Sequence, residues 1–159
     1  MTQSTIRSMK PEDREAVIEL LLLSDPWTTL GYSRTDWDRY FAPMPKDRET
    51  FVVEQRGTVV GLAVLRRNFL MGDYLELFGV ATDARRSGVG KLLLSHVETL
   101  TFSRAKNLFA CVSDFNEPAR VFYKKQGYRE IGPMPDLLIS GSAEVLLRKT
   151  IGPARGKSQ

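Results

Sequence analysis

The sequence predicts one domain of the α/β (α+β) class, and three observations in its second half support this. An apolar run from Tyr74 to Thr82 leads through a basic turn at 85–90 into an amphipathic run over 89–100, the order of a strand, a turn and a helix. The nearly continuous apolar run at 108–112 is typical of a strand buried on both faces. Residues 116–128 carry the signals of a short helix followed by another strand, so strands and helices alternate.

The first predicted elements are a strand at 5–9 and a helix that Pro11 opens in its first turn. This helix ends before Pro26, because a residue that precedes proline disfavours the helical conformation. The aromatic-rich segment 27–41 follows, and a helix is predicted within it over 33–40.

Strands at 51–54 and 59–65 form a hairpin through the turn 55–57, and a third strand spans 74–81. In the helix at 89–100 the apolar residues recur on one stripe, which is expected to pack on the sheet. The later elements are a strand at 108–112, a helix between Asn116 and Gly127, and strands at 128–131 and 144–149.

The chain has 159 residues, a length typical of one domain, which we place at 1–151 with a disordered tail at 152–159. Cys111 has no second cysteine to pair with, which suits a reducing compartment, and it is expected to be a small core residue. A signal-peptide core and a long apolar run are both missing from the sequence, so we expect a cytoplasmic protein with no membrane partner. The net charge of +4 comes from dispersed basic residues, which argues against a nucleic-acid partner.

The turn Arg85-Arg86-Ser87-Gly88-Val89-Gly90 is a candidate site for a phosphate group. A strand that ends in such a turn and opens a helix directs unpaired backbone N–H groups and the positive end of the helix dipole at one place. Gly88 and Gly90 have no Cβ, which lets a ligand come close to the backbone. The alternative is a plain surface connection, which does not predict the residues found downstream.

Two motifs together resemble the GNAT superfamily of N-acetyltransferases, over residues 74–131. The first is Phe78-Gly79-Val80 followed by Arg85-x-x-Gly88-x-Gly90, similar to the family's pantetheine-binding strand and pyrophosphate loop. The second is Asn116-x-x-Ala119-x-x-Phe122-Tyr123-x-x-x-Gly127-Tyr128, similar to the family's second coenzyme motif. Arg86-Ser87 stands where many members have Gly-Lys or Gly-Arg.

The resemblance implies a mostly antiparallel central sheet of six to seven strands with a splayed parallel pair, flanked by about four helices. It implies an enzyme that transfers an acetyl group from acetyl-coenzyme A to a primary amine of a small molecule or protein, by direct attack in a ternary complex, and a homodimer is common in the family. The coenzyme-binding residues expected from the motifs and the basic side chains beside them are Phe78, Gly79, Val80, Arg85, Arg86, Ser87, Gly88, Val89, Gly90, Lys91, Asn116, Ala119, Arg120, Phe122 and Tyr123.

Acetyl transfer needs a donor for the oxyanion, an acid for the departing thiolate and a route for the amine proton. Gly79 inside the strand predicts a bulge or a close backbone approach. The Val80 N–H is the expected oxyanion donor, because a bulge would turn it away from the sheet. Tyr123 matches the family's tyrosine and is the expected acid, with packing between helix and sheet as the alternative. Glu76 is the expected base, since in an unbulged strand it shares the side of Phe78 and Val80. The alternative for Glu76 is a plain exposed carboxylate.

Trp27 and Tyr32 lie in the region that covers the acceptor in the family, and with Glu76 they are the expected substrate contacts. Packing over the sheet edge is their alternative role. His96 is the one histidine, so no metal site is expected. Two other functions stay open, a catalytically silent coenzyme A-binding regulatory module and a nucleic-acid binder.

Overall fold

A computed structural model describes residues 2–156 of the chain. Its strands form one sheet in the order β1-β2-β3-β4-β5-β7-β6, and every neighbouring pair is antiparallel except β4 and β5. The strands are β1 (Ser4–Ser8), β2 (Arg48–Gln55), β3 (Thr58–Phe69), β4 (Gly72–Val80), β5 (Asn107–Ser113), β6 (Arg129–Pro135) and β7 (Ala143–Thr150). The mixed, mostly antiparallel sheet expected from the resemblance is confirmed. Residues 157–159 of the predicted tail lie outside the described residues.

The helices are α1 (Arg14–Leu22), α2 (Trp27–Leu30), α3 (Arg34–Tyr40), α4 (Val89–Phe102) and α5 (Glu117–Lys125). The signals at both ends of α5 are confirmed, because the Asn116 side chain accepts a hydrogen bond from the Ala119 N–H at 3.4 Å and Gly127 has a φ of 93°. The four-residue helix α2 was not predicted. Within residues 2–156, no helix has the length and apolar character needed to cross a membrane.

Two apolar clusters lie on opposite faces of the sheet. The α4-side core contains Leu93 and Val97 of α4, together with strand residues such as Leu75, Ala110 and Val145. The α1-side core contains α1, Trp37 of α3 and residues of β2, β3 and β4. The helices on the α1 side therefore cover the first half of the sheet.

The parallel pair β4 and β5 is joined only at its beginning. Its ladder runs from Gly72 opposite Asn107 to Leu75 opposite Ala110 and then ends, although both strands continue. Residues 76–80 of β4 and 111–113 of β5 therefore border an opening, which we call the β4–β5 gap. This is the splayed parallel pair expected from the resemblance.

A bulge in β4 lies at Glu76, and the expectation of a bulge at Gly79 is wrong. Val64 of β3 pairs with Leu77 and the next residue, Leu65, pairs with Leu75, so Glu76 is the extra residue. Leu75 consequently joins the α4-side core whereas Leu77 joins the α1-side core. Gly79 lies in regular register opposite Leu62.

The hairpin of β3 and β4 is longer than predicted. Strand β3 ends at Phe69 and β4 begins at Gly72, so only Leu70 and Met71 connect them. Both residues have positive φ angles, 44° and 61°. These angles match a two-residue hairpin turn, which usually contains Gly or Asn. The Leu-Met pair carries no such sequence signal.

Candidate active site

The basic turn after β4 forms a concave stretch of backbone before α4. Arg86 and Gly88 have left-handed φ angles of 65° and 87°, and α4 begins at Val89. The Ser87 hydroxyl donates to the Ala84 carbonyl oxygen, which holds the turn closed. Backbone N–H groups in such a turn, at the first residues of a 14-residue helix, form a site for an anion.

The backbone of β4 presents hydrogen-bonding groups to the β4–β5 gap. The Ala81 N–H donates to the Val60 carbonyl oxygen at 2.8 Å, so in this antiparallel ladder Gly79 also pairs with β3. Phe78 and Val80 alternate with these residues, and their N–H groups point towards the gap. The Val80 N–H therefore faces the gap through ordinary strand alternation, not through the expected bulge.

An aromatic group joins the gap to the basic turn. The ring of Phe78 stacks on Phe122 with centroids 6.1 Å apart and lies 6.2 Å from Tyr123. A Cβ placed on Gly90 would lie 3.5 Å from Phe122 and 3.7 Å from Val80. The structure thus brings together three regions predicted separately, the end of β4, the first turn of α4 and the middle of α5.

Tyr123 is buried at the centre of this group, with 6% of its surface exposed. Its ring contacts Tyr128 edge-on as well as Phe78 and Phe122. Burial, with a smaller contribution from Cys111, raises the pKa of the Tyr123 phenol, so the group carries its proton at neutral pH.

The other expected coenzyme residues lie either at the basic turn or at the start of α5. Arg85, Arg86, Ser87 and Lys91 are exposed around the turn, and the Arg85 Nε donates to the Val80 carbonyl oxygen at 3.3 Å. Arg120 instead forms two 2.9 Å hydrogen bonds to the carboxylate of Glu130. Asn116 and Ala119 bond to each other at the start of α5, so their part is to begin the helix.

Glu76 does not share the side of Phe78 and Val80, because the bulge turns it to the α1 side. Its carboxylate accepts hydrogen bonds from the Tyr40 hydroxyl at 2.6 Å and the Arg48 Nε at 2.7 Å, and Arg66 also donates to it. Burial pushes the pKa of Glu76 up, but these hydrogen bonds and the arginine charges outweigh it and the pKa is lowered. A carboxylate bound in this way is a weak proton acceptor.

Trp27 and Tyr32 both pack against the α1-side core. A Cβ on Gly79 would lie 3.0 Å from the Trp27 ring, so this glycine makes room for the indole. Tyr32 stacks on Trp37 with centroids 4.9 Å apart. Burial and then the charge of Glu144 raise the pKa of Tyr32.

Glu144 and Ser113 were not expected from the sequence. They are cross-strand partners on β7 and β5, and the Ser113 hydroxyl donates to the Glu144 carboxylate at 2.6 Å. They can be identified only from the pairing of β5 with β7, because a glutamate at the start of a strand carries no local sequence signal for a functional role. In the described part of the chain, no group of three or more His, Cys, Asp or Glu side chains could hold a metal ion.

Comparison with known proteins gives matches over most of the chain. The acetyltransferase (GNAT) family profile matches residues 14–128. The peptidyl-lysine N-acetyltransferase YiaC of Escherichia coli is 29% identical over 128 residues, which cover 77% of this chain and 82% of that protein. A 5-NmdU N-acetyltransferase of Pseudomonas phage PaMx11 is 33% identical over 51% of this chain and 57% of its own.

Solved structures share the fold. The ribosomal-protein-S18-alanine N-acetyltransferase of Escherichia coli has a TM-score of 0.80 at 19% identity, with 99% of each chain covered. An aminoglycoside 6'-N-acetyltransferase in complex with coenzyme A has a TM-score of 0.79 at 18% identity, with 96% of this chain and 99% of that chain covered.

Proposed function

The chain belongs to the GNAT family of acetyltransferases, and from that premise we propose that it transfers the acetyl group of acetyl-coenzyme A to a primary amine within a ternary complex. The observation that carries this proposal is the junction of the basic turn with the β4–β5 gap. The turn offers backbone N–H groups to a diphosphate, and the gap offers the free edge of β4 to an extended ligand.

The residues present fit coenzyme A. Gly88 has nothing within 4 Å of a Cβ position, so the backbone there is open to a phosphate. Arg85, Arg86 and Lys91 supply positive charge around the turn. We therefore assign the diphosphate to the turn and the pantetheine arm to the gap beside Phe78 and Val80, with Phe122 against the start of α4.

Two groups of this chain are proposed to act on the thioester. The Val80 N–H faces the gap and would donate to the carbonyl oxygen as negative charge develops on it. The Tyr123 hydroxyl would give its proton to the departing thiolate. Its raised pKa makes that transfer unfavourable by itself, so the hydroxyl has to be held against the sulfur in a dry site, where the thiolate also lacks hydration and takes a proton more readily.

The acceptor is proposed to be a primary amine, because the relatives and structural neighbours named above are N-acetyltransferases. Cys111 is a free thiol, which fits the proposed cytoplasmic location.

Replacing Tyr123 with Phe tests the catalytic role. We expect kcat to fall by about 100-fold or more, the range typical of lost proton transfer, while the affinity for coenzyme A measured by calorimetry stays unchanged. Tyr128→Phe is the matched control, since Tyr128 is also a buried tyrosine but its hydroxyl donates to Glu98 at 2.8 Å. Turnover is read as thiol release from acetyl-coenzyme A.

The outcomes separate the proposal from its rivals. A Tyr123→Phe variant with full turnover would remove the assigned acid. A chain that binds coenzyme A but acetylates no amine in either form would be the silent regulatory module. Salt-sensitive binding of DNA or RNA, without heat from coenzyme A, would favour the nucleic-acid binder.

A further inference from the structure

Glu144 is a buried carboxyl group without a cationic partner. It is 7% exposed, and the Ser113 hydroxyl donates to one of its oxygens at 2.6 Å. In the described range 2–156, no lysine, arginine or histidine nitrogen lies within 4.0 Å of it. A buried carboxylate in this state loses hydration that the protein does not fully replace.

The other buried carboxyl groups show the contrast. Asp13 is 7% exposed and bonds to Arg7 at 2.7 Å, and Asp73 is 2% exposed and bonds to Arg104 at 2.8 Å. Both therefore have a cation supplied by the fold itself. Glu144 is the exception, so its charge is either removed by protonation or balanced by a cation that a ligand supplies.

The position of Glu144 places it beside the β4–β5 gap. Val112 and Val145 belong to the α4-side core, so their neighbours Ser113 and Glu144 lie on the opposite face of the sheet. Cys111 shares that face and borders the gap, where β5 has left β4. The α1-side core contains residues of β2 to β4 and none of β5 or β7, although Ser113 and Glu144 on this face are buried.

Few other ionisable groups surround Glu144. From β5 and its end come Cys111 and Asp114, from β4 Tyr74, and from the segment before α3 Tyr32, while its partner on β6 is Met134. Burial raises the pKa of Glu144, Asp114 adds to this, and the Ser113 hydrogen bond opposes it. A carboxylate in these surroundings accepts a proton more readily than one bound to arginines.

We propose that Glu144 binds the ammonium group of the acceptor and takes a proton from its nitrogen during acetyl transfer. This inference rests on the proposed function. In the overall step the N–C bond forms and the thioester C–S bond breaks. Two protons leave the ammonium nitrogen: one passes to a Glu144 oxygen, and the other returns to the Tyr123 oxygen, whose own proton has gone to the departing thiolate. Glu76 is left as a positioning residue, because Arg48 and Arg66 already hold its oxygens.

A small cleft next to Tyr32 indicates the kind of amine. It measures about 140 Å³ and lies between the α2–α3 connection and the loop before β7, lined by Leu30, Tyr32, Leu138 and Ile139 with Gly31 and Asp36. Leu30, Leu138 and Ile139 suit a hydrocarbon stem, and we infer that the charged end of that stem reaches Glu144, which lies beyond the residues that line the cleft. The acceptor class is therefore an alkyl ammonium, such as a lysine side chain or an aliphatic diamine.

The test compares the wild-type protein with Glu144→Gln, using 1,5-diaminopentane and a lysine-containing peptide as acceptors. We expect kcat/KM to fall by about 100-fold or more and the acidic limb of its pH profile to disappear, with coenzyme A affinity unchanged. Glu12→Gln is the control, since Glu12 is an exposed carboxylate in the 3-10 turn before α1.

Ser113→Ala is a second variant that keeps the carboxylate. Loss of the hydroxyl removes the bond that lowers the pKa of Glu144, so the acidic limb should move to higher pH by about one unit. A merely structural role would change the height of the profile and leave the limb in place.

Wild-type kinetics in Glu144→Gln, or an unmoved limb in Ser113→Ala, would overturn the assignment. Acetylation of other amines but of neither alkyl ammonium probe would overturn the acceptor class and leave the proposed function intact. Absence of both acetyl transfer and coenzyme A binding in the wild type would instead reject the proposed function.

Discussion

Single residues decide the form of the basic turn, and Arg86 is the most unusual of them. It has a left-handed φ of 65°, a conformation that costs a residue with a Cβ roughly 1–2 kcal/mol. Family members often have glycine at this position, and the angle gives the physical reason. Here the chain keeps an arginine, and we propose that its positive charge contributes to binding of the coenzyme's phosphates in return for the strain.

Replacing Arg86 by Gly and by Ala separates its two effects. Both variants lose the charge, so each should bind coenzyme A about fivefold more weakly, a change near 1 kcal/mol. Only Ala keeps the backbone strain, so Arg86→Gly should be more stable than Arg86→Ala by about 1 kcal/mol. Calorimetry and urea unfolding measure the two quantities, and equal stability of the variants would contradict the assigned strain.

The carboxylates show where residue-level prediction fails. Strand alternation placed Glu76 beside Phe78 and Val80, and one extra residue in the ladder with β3 turned it to the other face. Nothing local in the sequence marks that bulge, because Glu76 is neither glycine nor next to one. Glu144 was missed for a related reason, since its role depends on a cross-strand neighbour, Ser113, 31 residues away.

At the scale of elements, the β4–β5 gap depends on how β4 and β5 begin. Gly72 lies opposite Asn107 at the first pair of their ladder. A Cβ on Gly72 would lie 2.2 Å from the Asn107 carbonyl oxygen, closer than any real contact. The two strands can therefore meet at this end and separate further on, which leaves the gap open for a ligand.

Gly72→Ala should destabilise the protein by about 3 kcal/mol, because the clash is with backbone that cannot move aside without breaking the parallel pair. Gly132→Ala is the matched control, since Gly132 is also in a strand, has no left-handed φ and meets nothing within 4 Å. Urea unfolding checks both variants. Comparable stability of the two would show that the start of the ladder adapts freely.

Elements with local end signals were predicted well. The start of α4 after Gly88 and both ends of α5 follow from capping and glycine chemistry within a few residues. The extent of the β3–β4 hairpin was not, because its turn uses Leu70 and Met71 where glycine or asparagine is usual. The short helix α2 has four residues, too few to show a helical period.

On the scale of the whole molecule, two buried carboxyl groups act on stability in opposite directions. Burial raises the pKa of Glu144 in the folded state. The protonated carboxyl group therefore favours the folded state at low pH, and this contribution to stability is lost as pH rises through the raised pKa. Hydrogen bonds from Arg7 lower the pKa of Asp13 to about 2 from 3.8, so its contribution is present above pH 3.8 and lost as pH falls through about 2. The folded state should therefore be most stable at mildly acidic pH.

The stability profile between pH 2 and 8, measured by urea unfolding, tests this balance without any substrate. In Glu144→Gln the decline from mildly acidic to neutral pH should flatten, and in Asp13→Asn the loss below pH 4 should shrink. One group changes the slope by at most about 1.4 kcal/mol per pH unit, which such a series resolves. A neutral-side slope equal to that of wild type in Glu144→Gln would mean that Glu144 is not destabilised when ionised, and the site would lose its need for an ammonium ligand.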